Sequence, residues 1–198
     1  MVVTKTKKKF TYEDYAKTPE GERYELLDGE LIALSSPDMA HQRLKSHLGA
    51  TIWEYVSDAE LGEVYMSPTD VYFSDTDAVQ PDILFFFKDR SYIRTGKNIR
   101  GAPDLVVEIL SPSTSANDWG YKRDLYAKHG VKEYWLVDPY AKQGMGMLLK
   151  DGGYEIVAVY REDDTLRSPM LERFELDLGR VFDEVFNDVL ADVLADMS

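Results

Sequence analysis

The sequence predicts an α/β or α+β fold with a mixed β-sheet. Of the 198 residues, 44% are hydrophobic, which is enough for one core and suits one domain better than two. Apolar runs of strand length alternate with amphipathic segments of helical length, in the order hairpin, helix, strands, helix, strand, hairpin. We therefore expect a single domain over residues 11–198, preceded by a disordered basic tail over residues 1–10.

The first predicted elements are a short helix and a hairpin. Thr11 is a suitable N-cap and an acidic turn follows it. Asp28-Gly29 lies between two apolar runs, a strong signal for a turn, and predicts a hairpin over residues 23–34. Apolar positions recur at helical spacing over residues 38–56, so a long helix is expected there.

The middle of the chain predicts strands. Short strands are expected at 64–66 and 71–73, around a Ser67-Pro68 turn. Residues 79–87 are almost continuously apolar, as in a strand covered on both faces, and residues 104–110 form a second such run. Residues 88–100 between them are polar and predict an exposed loop.

The last third predicts a helix, a strand, a hairpin and a final helix. The helix spans residues 118–129, with Asn117 or Asp118 as its cap. A buried strand over 133–138 ends at Pro139. The hairpin joins strands near 145–150 and 154–160, and paired apolar positions predict an amphipathic helix over 181–197.

Charge and composition limit the function. The net charge of −13 argues against a protein that coats nucleic acid through a broad basic surface. It is compatible with a nuclease, because a carboxylate site for a divalent cation adds negative charge. The absence of cysteine excludes disulfides and thiolate metal sites. The apolar runs are too short to span a membrane, and no apolar block follows the N-terminal lysines, so a cytoplasmic location is expected.

Two carboxylates interrupt the longer apolar runs. Asp82 follows Pro81 in the first run, and Glu108 shares a strand face with Val106 and Leu110 in the second. A buried carboxylate needs a partner, a proton or a metal. Two of them on neighbouring strands can both stay ionised if a cation lies between them, and oxygen ligands favour magnesium or manganese over zinc.

A lysine on the following helix points to the same region. Asp118, Lys122 and Tyr126 are spaced four apart and share one helical face. The helix should pack back across the sheet from the end of the Glu108 strand. Lys122 is therefore in a position to steady Glu108, orient a water nucleophile or stabilise charge on a phosphate.

These residues carry a family resemblance. Pro81-Asp82 followed by a strand glutamate resembles the PD-(D/E)XK nuclease superfamily. The chain more closely resembles the Uma family of restriction-endonuclease-like proteins, through Tyr24-Glu25-Leu-Leu-Asp28-Gly29, His41, Gln80-Pro-Asp-Ile83, Pro103-Asp-Leu-Val-Val-Glu-Ile-Leu-Ser-Pro-Ser-Thr114, Lys122 and Glu133-Tyr-Trp-Leu-Val-Asp-Pro139. The resemblance implies a central mixed sheet flanked by helices, and a magnesium site at Asp82 and Glu108 in which manganese can substitute.

The sequence departs from the superfamily pattern at one position. Leu110 stands where the pattern has a lysine, two residues after the acidic residue. We interpret Lys122 as the displaced catalytic lysine; the alternative is a weakened site. The resemblance also implies that Glu25 is an additional carboxylate and that His41 is either a base that contacts a metal ligand or a phosphate contact.

Several residues also have purely structural interpretations. Glu108 and Lys122 would make a buried ion pair without metal, and Glu25 would lie on the exposed face of a hairpin. His47 and His129 are expected to be structural. The basic residues of the 88–100 loop would contact phosphates or simply be solvated; they are Arg90, Arg94, Lys97 and Arg100.

Three functions are compared. The favoured one is a magnesium-dependent endonuclease that hydrolyses phosphodiester bonds in nucleic acid, with DNA as the expected substrate and a homodimer suited to cutting both strands. Glycoside hydrolysis also uses paired carboxylates, but it needs no lysine beside them and usually an aromatic cleft, which the scattered tryptophans do not indicate. The remaining alternative is a catalytically inactive nuclease-like scaffold that binds a partner or nucleic acid.

Overall fold

The computed structural model describes residues 9–19 and 21–185. Residues 1–8 of the basic tail predicted over residues 1–10 lie outside these ranges, as does the part of the last predicted helix after residue 185. Within them, Phe10 donates its N–H to the Gly29 carbonyl at 2.8 Å, and Lys9 forms an ion pair with Asp28. The first described residues are therefore attached to the hairpin.

A six-stranded mixed sheet is the centre of the domain. Its strand order is β11-β10-β9-β8-β6-β3; β8 and β9 are parallel, and the other neighbouring pairs are antiparallel. The strands along the chain are β1 (Tyr24–Leu27), β2 (Glu30–Ala33), β3 (Gly62–Met66), β4 (Val71–Ser74), β5 (Asp77–Val79), β6 (Ile83–Phe87), β7 (Ile99–Arg100), β8 (Leu105–Ile109), β9 (Glu133–Asp138), β10 (Gln143–Lys150), β11 (Gly153–Tyr160), β12 (Thr165–Arg167) and β13 (Glu175–Asp177).

A second sheet and the helices surround this centre. The second sheet has the order β2-β1-β5-β4-β7, and β12 pairs with β13 in a two-stranded ribbon that the sequence did not predict. The helices are α1 (Tyr12–Tyr15), α2 (Met39–Asp58), α3 (Ser115–Asn117) and α4 (Arg123–His129), with a 3-10 helix at Lys88–Ile93 and a π-helical turn at Asp118–Lys122. Residues 178–185 are also helical. The predicted mixed sheet flanked by helices is confirmed.

The six-stranded sheet has an apolar cluster on each face. Along β8, Leu105, Val107 and Ile109 face the cluster that contains the buried side of α2. Val106 and Leu110 belong to the other cluster, together with Leu125 and Tyr126 of α4. A strand covered on both faces explains why residues 105–110 are apolar except for Glu108.

Local sequence signals account for the element ends. Thr11 forms a capping box with Asp14, as its position before an acidic turn predicts. Asp38 caps α2 by accepting the His41 N–H at 2.9 Å. The turn between β1 and β2 has positive φ at Asp28 (47°) and Gly29 (76°), which Asp-Gly tolerates.

The apolar run over residues 79–87 is not one strand, so that prediction is wrong. β5 pairs with β1 and β4 in the five-stranded sheet, whereas β6 pairs with β3 and β8 in the six-stranded sheet. Residues 80–82 cross between the two sheets, and Pro81 has no N–H to continue a ladder. Asp82 therefore lies just before β6, at the end of that strand.

Two other predicted boundaries are wrong. Residues 88–100 are not simply an exposed loop, because they contain the 3-10 helix and β7, and Ile93 and Ile99 are buried. The helical segment after β8 begins at Ser115, so neither Asn117 nor Asp118 is its cap.

No helix in the described ranges combines the length and hydropathy that crossing a bilayer requires.

Candidate active site

One cavity of about 250 Å³ contains all five predicted site residues. Glu25 comes from β1, His41 from the first turn of α2, and Asp82 from the crossing between the two sheets. Glu108 comes from β8, and Lys122 from the π-helical turn after it. The cavity therefore opens where the five-stranded sheet, the six-stranded sheet and the start of α2 meet.

Glu108 lies at the floor of the cavity, and only 3% of its surface is exposed. Its Oε1 accepts hydrogen bonds from Lys122 Nζ at 2.9 Å and from Tyr126 Oη at 2.6 Å. Its Oε2 is 3.4 Å from the Asp82 backbone nitrogen, a weak contact at most. One carboxylate oxygen is thus fully engaged by the helix, and the other faces Asp82.

Lys122 contacts three buried carboxylates. Its Nζ lies 2.9 Å from Glu25 Oε1, 2.9 Å from Glu108 Oε1 and 3.2 Å from Asp118 Oδ1. Asp118 and Lys122 are one turn apart, so the π-helical turn presents both to the strand end. The buried ion pair expected from the structural interpretation is therefore present, and it is equally compatible with a catalytic lysine.

Asp82 is held by the sheet and by a histidine. Its Oδ2 accepts the Ile109 N–H at 2.9 Å and lies 3.1 Å from His41 Nε2. If the imidazole is neutral, Nε2 must carry its proton to make this contact. Within the described part of the chain, the buried His41 Nδ1 has no hydrogen-bond partner. His41 thus orients one oxygen of Asp82 and leaves the other towards the cavity.

Glu25 is buried, so the expectation of an exposed hairpin face is wrong for this residue. It is 2% exposed, and its Oε1 accepts the Gln80 N–H at 2.9 Å. That hydrogen bond fixes the crossing segment that carries Asp82. Glu25 is therefore tied both to Lys122 and to the backbone beside Asp82.

The protonation states follow from burial and from the neighbouring charges. Burial raises the pKa of Glu108 well above its usual value; Lys122 opposes this and the nearby carboxylates reinforce it. Burial also raises the pKa of Asp118, against the effect of Lys122. Burial alone would lower the pKa of Lys122, but Glu108 and Glu25 raise it well above normal, so the ammonium stays charged.

Asp82 behaves differently from the deeper carboxylates. Burial acts to raise its pKa, but the His41 contact, the Ile109 N–H and the charge of Lys122 outweigh burial, so its pKa is lowered. Asp82 is therefore ionised, whereas the raised pKa of Glu108 favours its protonated form. One lysine does not neutralise four neighbouring carboxylates, and an additional cation would relieve their repulsion.

The donor set fits a hard divalent cation held by few protein ligands. In residues 9–19 and 21–185, no three His, Asp or Glu side chains converge as a ready metal cluster. Magnesium, however, commonly takes one or two carboxylates and completes its shell with water and substrate phosphate. The free oxygen of Asp82 and Oε2 of Glu108 meet that lower requirement.

The sequence did not identify four other residues that the structure brings to the site. Asp118 was interpreted as a possible cap on the same helical face as Lys122, but not as a site residue; it is 1% exposed and contacts Lys122. Arg23 and Lys45 line the cavity, and Gln80 links Glu25 to Arg23. Lys45 had a usable signal, because it follows His41 by four residues on one helical face. Arg23 and Gln80 had none, because their meeting depends on strand pairing.

The remaining predicted residues lie away from the cavity lining. His47 Nδ1 is 3.4 Å from Glu184 Oε2, and the His129 ring lies 4.8 Å from the Phe73 ring. Three of the four basic residues of the 88–100 segment have protein partners. Arg90 contacts Asp104, Arg94 contacts Glu63, and Arg100 lies over the rings of Tyr12 and Tyr72.

Comparisons with known proteins identify one family and two related proteins. The model of the family Uma2, described as "Putative restriction endonuclease", matches residues 11–179. One uncharacterized protein of Synechocystis sp. is 24% identical over 144 residues, which cover 71% of this chain and 81% of that protein. A second from the same organism is 27% identical over 164 residues, which cover 80% and 84%.

One solved structure shares the fold. The crystal structure of a protein from Anabaena variabilis, described as "a putative nuclease belonging to DUF820", superposes with a TM-score of 0.75 at 23% sequence identity. The match covers 89% of this chain and 99% of that one. At this identity the likeness establishes the architecture, which agrees with the mixed sheet and flanking helices described above.

Proposed function

Because this chain belongs to the Uma2 family, we propose that it is a magnesium-dependent endonuclease that hydrolyses phosphodiester bonds in nucleic acid, with DNA as its substrate. One observation carries the proposal: Asp82, Glu108, Glu25 and Lys122 come from four separate segments of the chain and line the same cavity. Burying so many charges together lowers the stability of a fold, and such clusters are typical of functional sites.

Asp82 and Glu108 would hold the cation, and manganese would be able to replace magnesium. When bound, the cation would supply Lewis acidity at the phosphate and lower the pKa of a water nucleophile. The two ligands differ in protonation: Asp82 is already ionised because its pKa is lowered, whereas burial raises the pKa of Glu108 and favours its protonated form. Binding of the cation should therefore release a proton from this cluster.

Lys122 would position Glu108 and Glu25 and carry positive charge beside the reacting phosphate. Its ammonium remains protonated, so it acts as a hydrogen-bond donor and not as a base. It would stabilise the negative charge that develops on the phosphate oxygens during in-line attack. Leu110, at the position of the lysine in the superfamily pattern, is buried in the apolar cluster with α4 and takes no part in this charge stabilisation.

His41 and Glu25 would act as positioning residues. His41 Nε2 fixes the orientation of Asp82 from α2, at 3.1 Å. Glu25 fixes the crossing segment through the Gln80 N–H and shares the charge of Lys122. A cut through both strands of a duplex would need two such sites, which a homodimer would supply.

The test combines cation binding with DNA cleavage. We would titrate magnesium calorimetrically into the wild type, Asp82→Asn and Glu108→Gln, and follow nicking of supercoiled plasmid by the same preparations. Glu133→Gln is the matched control, because Glu133 is a buried glutamate on the adjacent strand β9, held by Ser168 and Trp135 outside the cavity.

We expect both site variants to lose saturable magnesium binding and to nick at least about a thousandfold more slowly, the effect of losing several kcal/mol of transition-state stabilisation. Glu133→Gln should bind magnesium and nick like the wild type, provided that it stays folded. Nicking that persists in Glu108→Gln would refute the assignment.

The non-catalytic scaffold is the second candidate, and two observations favour it. Lys122 and Glu108 already form a complete ion pair at 2.9 Å, and the described residues contain no three-ligand metal cluster. Under this alternative, magnesium produces no saturable heat with any of the four proteins, and no plasmid is nicked. The carboxylates would then serve only to hold the helical segment against β8.

A further inference from the structure

Two cations line the cavity without an acidic partner. Arg23, at the start of the hairpin, and Lys45, one turn after His41 on α2, both belong to the cavity wall. Across residues 9–19 and 21–185, the side-chain partner of Arg23 is Gln80 and that of Lys45 is Ser67, so neither cation is paired with a carboxylate at ion-pair distance. A cation in a cavity wall that no carboxylate pairs with is available to bind an anion.

Arg23 is fixed in place before any ligand arrives. Its Nε and Nη2 donate to Gln80 Oε1 at 3.1 and 3.0 Å. Gln80 is itself fixed, because its Nε2 donates to Tyr15 Oη at 3.1 Å and to Asp70 Oδ1 at 3.0 Å. The rest of the guanidinium is left for another acceptor, and its planar fork suits a phosphate.

Lys45 is also held at the cavity. Its Nζ donates to Ser67 Oγ at 3.0 Å, and its side chain is half-buried. Burial lowers the pKa of Lys45, Asp82 acts to raise it, and the charge of Arg23 lowers it. The two cations line the same cavity, so an anion between them would be attracted to both.

Hydroxyl groups complete this wall of the cavity. Ser35 Oγ lies 3.1 Å from Ser113 Oγ, and Ser111 Oγ lies 3.1 Å from Ser113 Oγ. Ser35 follows the hairpin and the other two follow β8, so the hydroxyls bridge the two segments at the rim. Hydroxyls beside an arginine and a lysine are common donors to backbone phosphate.

We propose that Arg23 and Lys45 form a subsite for an internal backbone phosphate of nucleic acid, next to the phosphate held at Asp82 and Glu108. This inference rests on the proposed nuclease function for the identity of the ligand. It differs in location from the basic 88–100 segment, where three of the cations already have protein partners. The phosphate would be bound for position and would take no part in bond cleavage.

The test measures binding of nucleic acid without metal, so it does not depend on catalysis. The probe is a short 3′-fluorescein single-stranded DNA, followed by anisotropy at low salt in EDTA. The proteins are the wild type, Arg23→Met and Lys45→Met, with Lys128→Met as the control, because Lys128 is an exposed cation outside the cavity lining. Circular dichroism melting checks that each variant is folded.

We expect Arg23→Met and Lys45→Met each to bind roughly tenfold more weakly, the loss of one hydrogen bond to a charged group. The slope of log affinity against log salt should fall by about 0.7 for each variant. Lys128→Met should keep the wild-type affinity. Lys45→Met is the safer variant for folding, since methionine fills the same space, and its result stands even if Arg23→Met does not fold.

Two further arms identify the phosphate. Replacing one internal phosphodiester by an uncharged methylphosphonate should weaken wild-type binding at one position. It should weaken Lys45→Met binding by a smaller factor, because that variant has already lost one of the two contacts to this phosphate. A 5′-phosphorylated probe should bind like the unphosphorylated one; a cation-dependent preference for the 5′-phosphate would overturn the internal assignment in favour of a terminal phosphate. No measurable wild-type binding, or equal affinity in all four proteins, would overturn the subsite itself.

The outcome is separable from that of the proposed function. Weakened binding by the two variants, in a protein that nicks no plasmid with magnesium, would support the subsite and reject the nuclease. Magnesium-dependent nicking with unchanged binding in Lys45→Met would do the reverse.

Discussion

The Lys122→Met variant tests how much the Lys122 ammonium stabilises the fold by neutralising the buried carboxylates around it. The lysine side chain is 4% exposed and lies 2.9 to 3.2 Å from three carboxylates. At an effective dielectric constant of about 20, each such contact is worth several kcal/mol, and desolvation of the ammonium offsets much of the sum. Methionine keeps the volume but removes the charge. We expect a loss of about 3–5 kcal/mol, the usual result of breaking a buried pair from one side.

The pH dependence of this loss gives a second check. Glu108 and Asp118 already have raised pKa values, and removing Lys122 raises them further above their unfolded values. Such groups stabilise the fold in their protonated form, so that stability is present at low pH and is lost as pH rises through the folded pKa values. The gap between Lys122→Met and the wild type should therefore be larger at neutral pH than at acid pH.

The assay is urea unfolding in EDTA, followed by tryptophan fluorescence. Trp135 is fully buried, so its emission reports unfolding of the central sheet. Lys128→Met is the matched control, an exposed lysine on the same helical segment, and should change stability by less than about 0.5 kcal/mol. Adding Glu108→Gln to Lys122→Met should recover part of the loss, because one of the orphaned charges is removed. A loss below about 1 kcal/mol for Lys122→Met, or one independent of pH, would refute the reasoning.

Two further predictions concern the central sheet at the strand ends away from the cavity. Gly62→Ala should lower the free energy of unfolding in urea by several kcal/mol, because the added Cβ would lie 2.0 Å from the Phe86 carbonyl oxygen. Gly96→Ala is the control and should be nearly neutral, because its added Cβ would point into open space. A folded Gly62→Ala of wild-type stability would contradict this packing. Asp104→Asn should cost about 2 kcal/mol at pH 7, since burial acts to raise the pKa of Asp104 but Lys132, the Phe87 N–H and Arg90 lower it. The stability from this lowered pKa is present above the unfolded value of about 3.9 and is lost as pH falls through the folded one, so the two proteins should converge in acid; an undiminished gap in acid would count against it.

The sequence located the main site residues because their signals are local. Glu108 stands out as a charge within an apolar strand, and the spacing of Asp118, Lys122 and Tyr126 puts them on one helical face. The crossover from β8 to the parallel β9 then brings that face over the strand end. Two of these three side chains do contact Glu108 Oε1. Their geometry was thus predictable, and their catalytic roles stay predictions.

What the sequence missed depends on tertiary pairing. An apolar run does not reveal that its two halves join different sheets, although Pro81 marks the break. Asp118 has the local features of a cap, but burial beside Lys122 overrides that preference. Arg23 reaches the cavity because β1 pairs with β5, which brings it to Gln80, fifty-seven residues later in the chain. No short window of sequence contains that relation.

The position of the lysine follows from the connection that carries it. β8 and β9 are parallel neighbours, so the chain between them must leave the end of β8 and return along one face of the sheet. Glu108 is the penultimate residue of β8, and it faces the same side as Val106 and Leu110, the side on which α4 packs. The first turns of the returning helix therefore lie above Glu108. A lysine there can approach the carboxylate as closely as one on the strand, and Leu110 is released to fill the core beneath the helix. The departure from the superfamily pattern is thus compatible with an intact site, and the absence of a lysine at position 110 does not by itself argue for a scaffold.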